Sequence, residues 1–228
     1  MNSQLERNKA ILKKYIPEKA VEPIAKWIYH FDFKLKIKRS RTTKYGDYRP
    51  PVKEWNHQIT INNDLNPYSF LITLVHEIAH LSNWNKNKEN VKPHGEEWKK
   101  EFKLLMKPFL TESIFPDDVI FALNKYLHNP YASSCTDLNL QRTLKSYNQK
   151  QKVVYLEQLP HGSLFKTSKK KYFYKGKRIR KRYICTEMDT KKQYLFSPIA
   201  EIIPVEQPLL EKPKKSDFPS HIILFVLF

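Results

Sequence analysis

Glycine is nearly missing. The 228 residues hold 4 glycines, where average usage of ~7% would give about 16. No GxGxxG or GxxxxGK[ST] string occurs, so folds built on glycine-rich phosphate loops are disfavoured. Cysteine is as scarce. Cys135 and Cys185 are the 2 present, and no CxxC exists. That excludes a zinc ribbon and a thioredoxin motif, and it suits a reducing compartment. Long apolar runs are absent too. The longest charge-free one is Ile222–Phe228, far short of the ~20 residues of a spanning helix. The first residues, MNSQLERNKA, carry no apolar signal segment. The expectation is a cytoplasmic chain with no membrane partner, and a monomer.

Acidic charge is the fourth shortage. Forty-one Lys and Arg face 23 Asp and Glu, a net +18. Solubility needs a magnitude of only ~2–8 in a small domain, so a field this positive favours a polyanionic partner. Apolar residues at 40%, aromatics at 13%, are enough to build a core and exclude wholesale disorder.

Patterning along the chain predicts α+β architecture. Residues 4–15 read as a surface helix ended by Pro17. A second helix opens at Pro23 and runs through IAKWIYHF. Phe31, Phe33, Leu35 and Ile37 alternate with polar residues and predict a strand near 31–39. A long basic loop spans 40–54, and His57–Asn62 forms the next strand. Asn66-Pro67 is a helix start, with asparagine as cap and proline at the first helical position. Behind it, FLITLVHEIAHLSNW gives a broad apolar face. Further helices start near His94-Gly95, with Trp98, Phe102, Leu105 and Phe109 as the stripe, and at Pro116–Leu127. Residues 129–150 are polar and show no clear period. From 152 to 204 short strands follow one another, with RIRKRYIC read as one of them.

His76-Glu77-Ile78-Ala79-His80 is an HExxH string. On a helix, residues i and i+4 share a face, so two imidazoles converge on one point and can bind one metal. Glu77 lies one helical step round, where it can take a proton without being a ligand. Zinc at such a site lowers the pKa of water to ~7. A third protein ligand is needed. Asn83 and Lys86 stand where HExxHxxGxxH would need glycine and histidine. Glu96, Glu97 and Glu101 are alternatives, but His94 is the better candidate. It stands 14 residues beyond His80 at the next helix start, and Gly95 after it gives the backbone room to approach.

Ile61-Asn62, Leu65, the LVHEIAHL helix and His94-Gly95-Glu96-Glu97-Trp98-Lys99 together resemble the SprT-like zinc metalloprotease family, of which Spartan is a member. The motif residues match at His76, Glu77, His80, His94, Gly95 and Trp98, and Tyr45-Gly46-Asp47-Tyr48 fits the stretch before the family's second strand. The likeness covers about residues 20–110. It implies a zincin-like helical core with a small sheet and one zinc ion. It also implies peptide-bond hydrolysis, in Spartan-like members of proteins crosslinked to DNA. Many relatives carry a cysteine-rich zinc ribbon after the core, and two cysteines cannot form one here.

The expected organisation is a metalloprotease core over 1–128, a connecting segment over 129–151, a basic β-rich appendage over 152–205 and a tail over 206–228. The appendage carries most of the charge. Residues 166–193 hold twelve Lys and Arg against Glu187 and Asp189, a net +10, interleaved with Tyr172, Phe173, Tyr174 and Tyr183. Cations that track phosphates beside aromatics that stack on bases describe a nucleic-acid groove. The candidate contacts are Lys177, Arg178, Arg180, Lys181, Arg182 and Tyr183, with DNA favoured. The expected function is therefore zinc-dependent proteolysis of DNA-bound or DNA-crosslinked proteins. Here Glu77 is the general base and His76, His80 and His94 are the zinc ligands. Tyr45 and Tyr48 are oxyanion candidates that no sequence signal places. The alternative is a nucleic-acid-binding or transcription-associated protein whose zinc site is structural or inactive.

Overall fold

Pro17 separates the first two helices, α1 (Asn2–Leu12) and α2 (Glu18–His30). In this computed structural model, residues 2–41, 43–88, 92–130, 137–148 and 153–205 are described. They form an α+β protein of six α-helices and two sheets. α2 begins one turn earlier than the sequence predicts, so Pro23 lies inside it rather than at its start. The missing amide is tolerated because Ala20, Val21, Ile24, Ala25 and Ile28 bury one face of the helix. Packing outweighs the local penalty of proline.

The first sheet has the order β1-β3-β2. β1 (Lys34–Lys38) runs parallel to β3 (Gln58–Asn62), and β2 (Gly46–Arg49) pairs antiparallel with β3. β2 lies within the stretch expected to be loop. Only four residues long and rich in charge, it has no apolar alternation to announce it, and pairing with β3 makes it a strand. Leu35, Ile37, Ile59 and Ile61 share the inner face of the sheet and pack into the main core.

Against that face lies α3 (Pro67–Asn87). Asn66 Oδ1 accepts from the Ser69 N–H at 2.9 Å and Pro67 sits in the first turn, as expected of this pair. α4 (Glu96–Met106) packs on α3 with Trp98, Glu101, Phe102 and Met106 buried. α5 (Asp117–His128) and α6 (Leu138–Ser146) pack on each other. α6 falls in the polar stretch that shows no period in the sequence. It buries only Leu140, Gln141 and Leu144, too short a stripe to read as a helix.

Contacts divide the chain into two units, one within residues 1–149 and one within 150–228. The second is a six-stranded antiparallel sheet of order β4-β9-β5-β6-β7-β8. Its strands are Val154–Tyr155, Leu164–Lys166, Tyr172–Ile179, Arg182–Glu187, Gln193–Phe196 and Glu201–Pro204, numbered β4 to β9 in chain order. Its own core is Leu156, Phe165, Phe173, Cys185 and Ile202. RIRKRYIC is not one strand. Ile179 ends β6, Arg180 takes φ 51° in the turn, and Arg182 opens β7. The hairpin thereby puts the cations at a tip rather than on both faces of a buried strand. Among the described residues no helix is long and apolar enough to cross a membrane. Cys135 and the residues from 206 onward, including the apolar Ile222–Phe228, lie outside those described.

Candidate metal centre

α3 supplies three of the side chains. His76 and His80 stand one helical turn apart, and Glu77 follows His76. His94 comes from the turn ahead of α4 and adopts φ 62°. That left-handed conformation is unusual for a residue with a Cβ and costs on the order of 1–2 kcal/mol. Gly95 has φ −67°, so the turn strain falls on the histidine and not on the glycine. Glycine matters at position 95 for space, since a Cβ there would lie 3.1 Å from the Lys92 carbonyl oxygen.

The three imidazoles meet at their Nε2 atoms. His80 to His94 is 2.9 Å, His76 to His94 is 3.2 Å and His76 to His80 is 3.3 Å. Among the described residues these three form the cluster of potential ligands able to hold a metal ion. The donor set fits a tetrahedral metal, because nitrogens ~2.0–2.1 Å from one ion lie about 3.3 Å apart. Burial keeps all three rings neutral, with lone pairs available. His80 is pushed down to about 3, His76 lies well below the usual histidine range, and His94 is lowered by burial as well.

Trp98 forms the floor. Its ring centroid lies 4.6 Å from His76, 5.2 Å from His80 and 4.7 Å from His94, and Phe102 stacks beneath it at 5.1 Å. The wall is apolar at a price in hydrogen bonding: His76 Nδ1 and Trp98 Nε1 are buried without partners. Such groups cost about 1–3 kcal/mol each.

Glu77 is 7% exposed. Burial and the nearby Asp47 carboxylate push its carboxyl up to about 8, while the Tyr48 backbone N–H bonds to it and pulls the other way. β2 presses directly on this side chain. A Cβ added at Gly46 would stand 2.5 Å from Glu77 Oε1 and 2.8 Å from Thr73 Cγ2. Gly46 is thus a site residue that motif reasoning passes over. Its signal in the sequence was its rarity, one glycine of 4 inside Tyr45–Tyr48. On the same strand, the Tyr48 ring lies parallel to His80 at 6.4 Å, and its hydroxyl is hydrogen-bonded to His57 Nδ1 at 2.9 Å. His57 packs edge-on against Trp84, which places this histidine in the rim.

The carboxylate alternatives point elsewhere. Glu101 accepts from Ser82 Oγ at 2.7 Å and from Lys86 Nζ at 2.6 Å, and Glu96 pairs with Lys99. Glu97 is exposed.

In the second unit, Lys177, Arg178, Arg180, Lys181 and Arg182 are exposed on the β6–β7 hairpin. Tyr183 is half-buried, paired across from Arg178, with Lys175 Nζ 4.2 Å above its ring. Cys185 is buried and free, in the core of this unit.

An α+β frame with three convergent histidines and an adjacent buried glutamate defines a protein with a candidate metal centre. Residues 25–114 match the model of the SprT-like family. The match spans β1 to α4 and so contains all three histidines and Glu77. No curated protein and no solved structure matches the chain.

Proposed function

We propose that the chain is a zinc-dependent protease in which His76, His80 and His94 hold the ion and Glu77 is the general base. The reading is carried by the three Nε2 atoms at 2.9–3.3 Å from one another beside a buried glutamate. The SprT-like match over residues 25–114 agrees with a metallopeptidase. The chemistry zinc would supply is polarisation of the scissile carbonyl and a lowered pKa for the attacking water.

The chain's own residues do the rest. Glu77, in the ionised form that a cation held beside it would favour, takes the proton from the attacking water at a carboxylate oxygen and later delivers it to the leaving amine. The Tyr48 N–H holds the carboxylate in place, and the Gly46 backbone closes over it, excluding bulk water. Trp98 and Phe102 keep the histidine cluster rigid from below. A site whose ion were purely structural would have no use for a buried, proton-accepting glutamate beside the ligands.

The substrates in this reading are proteins held on nucleic acid, DNA first. The cations exposed on the β6–β7 hairpin support it, at +10 over residues 166–193. Metal analysis with a protease assay, on free and DNA-bound protein substrates, tests both parts. Glu77→Gln keeps the metal and the fold and abolishes hydrolysis, whereas His80→Ala loses the metal too. Undiminished proteolysis by the Gln variant overturns the general-base role. Changing Lys177, Arg178, Arg180 and Lys181 to Glu lowers cleavage of the DNA-bound substrate and spares the free one. Equal cleavage of both removes the hairpin from the reading.

A further inference from the structure

Charge in the first unit is concentrated in one place. Residues 34–49 contain seven Lys and Arg and a single acid, Asp47. Strand geometry sorts them by face. Leu35 and Ile37 turn inward to the core, so Lys34, Lys36 and Lys38 leave on the opposite face. Register extends that face across the sheet. Lys34 stands opposite Gln58 and Gln58 opposite Arg49; Lys36 pairs with Thr60 and Thr60 with Asp47; Lys38 pairs with Asn62. Arg41 lies over β3 on this face, donating from Nε to Asn62 Oδ1 at 2.8 Å and from Nη1 to Thr60 Oγ1 at 3.1 Å. With the Arg41 and Lys44 carbonyls it buries Thr60 and Asn62, so the accessible cations of the face are those of β1 and Arg49 at its margins. Asp47 is neutralised by Lys44 at 2.7 Å and Arg49 at 3.0 Å. Among the described residues, no ion pair is formed by Lys34, Lys36, Lys38 or Arg39.

An aromatic group stands at one end of this face. The β2–β3 connection leaves at Arg49 and returns at Gln58, the end of the sheet where Lys34 opens β1. It folds into a tight turn in which Val52 and Trp55 exchange two backbone hydrogen bonds of 3.0 Å, with Lys53 at φ 53°. Trp55 is 73% exposed and Val52 61%. The Trp55 ring meets no other aromatic ring among the described residues.

We propose that the outer face of the β1-β3-β2 sheet, with Trp55 at its end, binds a single strand of nucleic acid. Lys34, Lys36, Lys38 and Arg49 follow the phosphates, and the Trp55 indole stacks on a base. The pairing of a cationic track with an exposed aromatic ring is what single-strand recognition requires. A duplex would use the cations but offer no splayed base for the indole. β2 gives the arrangement its use. Its outer face carries Arg49 and Asp47, while Gly46 and Tyr48 on its inner face line the candidate metal centre. A strand on the outside thus lies one sheet thickness from Glu77. This surface rests on the proposed function only for that use, since binding is read without cleavage.

The test measures binding of the full-length chain to a labelled oligothymidylate of about 15 nucleotides and to a duplex of equal length, over a salt series. Three variants are compared, each checked for native circular dichroism: the triple variant K34Q/K36Q/K38Q, Trp55→Ala and Trp55→Phe. The triple variant is expected to bind both probes more weakly and to lower the log–log salt slope by about 2 units, at ~0.7–0.9 for each phosphate no longer neutralised. Trp55→Ala is expected to weaken single-strand binding at least about fivefold and to leave the duplex unchanged, and Trp55→Phe to restore stacking. Unchanged affinity and slope in the folded triple and Ala variants overturns the proposal. So does a loss confined to vesicles of phosphatidylserine and phosphatidylcholine, because the face then serves a membrane. Protein that binds as expected but does not hydrolyse peptide bonds refutes the proposed function and leaves this surface standing. Hydrolysis with unaltered binding in the variants does the reverse.

Discussion

At the scale of single residues, two kinds of side chain build the centre. His76, Glu77 and His80 are fixed by helical spacing and are legible in the string alone. Gly46 is the other kind. It contributes no functional group, yet the space it leaves is filled by Glu77 and Thr73. Gly46→Ala is therefore expected to push β2 off α3 or rotate Glu77 away. Overpacking of this sort costs about 1–3 kcal/mol. Thermal unfolding should show that loss, and hydrolysis should fall while metal content stays as in the wild type, because Gly46 touches none of the three histidines. An alanine variant with unchanged stability and activity would mean that β2 and Glu77 have slack that the packing denies.

Elements are held by partners distant in sequence. Asn66 caps α3 in the expected way, but its amide also donates to the Leu144 carbonyl and to Asn148 Oδ1, both at 2.7 Å, tying α3 to the end of α6. Loss of a cap alone costs ~1 kcal/mol, and each of the two lost bonds to Leu144 and Asn148 adds about 0.5–1.5 kcal/mol, the Leu144 carbonyl still accepting from the Tyr147 N–H. Asn66→Ala should thus destabilise by about 2–4 kcal/mol in chemical denaturation. Asn66→Ser keeps the cap and loses the tie, so it should fall between. Equal stability of Ser and wild type would show that the α6 bonds contribute nothing. The cap was legible because its partner is three residues away. Helix α6 was not, because its stability comes from bonds such as these, which span 78 and 82 residues.

The whole molecule has two cores of unequal size. All four tryptophans, Trp27, Trp55, Trp84 and Trp98, belong to the first unit. The second relies on five buried side chains, and cores in domains this small supply ~3–5 kcal/mol. Heating should give two transitions, the lower seen by far-UV circular dichroism and not by tryptophan fluorescence. Acid should act on that lower transition through Glu187. This buried carboxylate accepts from Lys171 Nζ at 2.7 Å and also from Thr190 and Tyr194. Lys171 first, then Thr190, holds it below the usual glutamate range. A folded pKa below the unfolded one means the unfolded state binds more protons in acid, so stability rises with pH. The contribution is complete above the unfolded value near ~4.3 and is lost as pH falls through the lower folded value. Glu187→Gln should be less stable at neutral pH and lose this acid dependence. A single transition, or one whose acid sensitivity survives the Gln change, would contradict the assignment.

The sequence by itself determined what depends on neighbours along the chain: the capped α3, the HExxH spacing, the alternation of β1, the excess of positive charge and the β-rich character of the second unit. His94 as third member of the histidine cluster was also within reach, since it stands at the start of the next helix. Tertiary structure alone decided the rest. β2 became a strand because β3 offered it hydrogen bonds, and α2 kept Pro23 in its interior because five apolar side chains bury its face. The basic run in β6–β7 turned back on itself at Arg180, so one expected strand is a hairpin. Left-handed backbone at His94, rather than the glycine beside it, swings the third imidazole inward. Each of these is settled by the free energy of packing or of pairing across the fold, which no local window of residues contains.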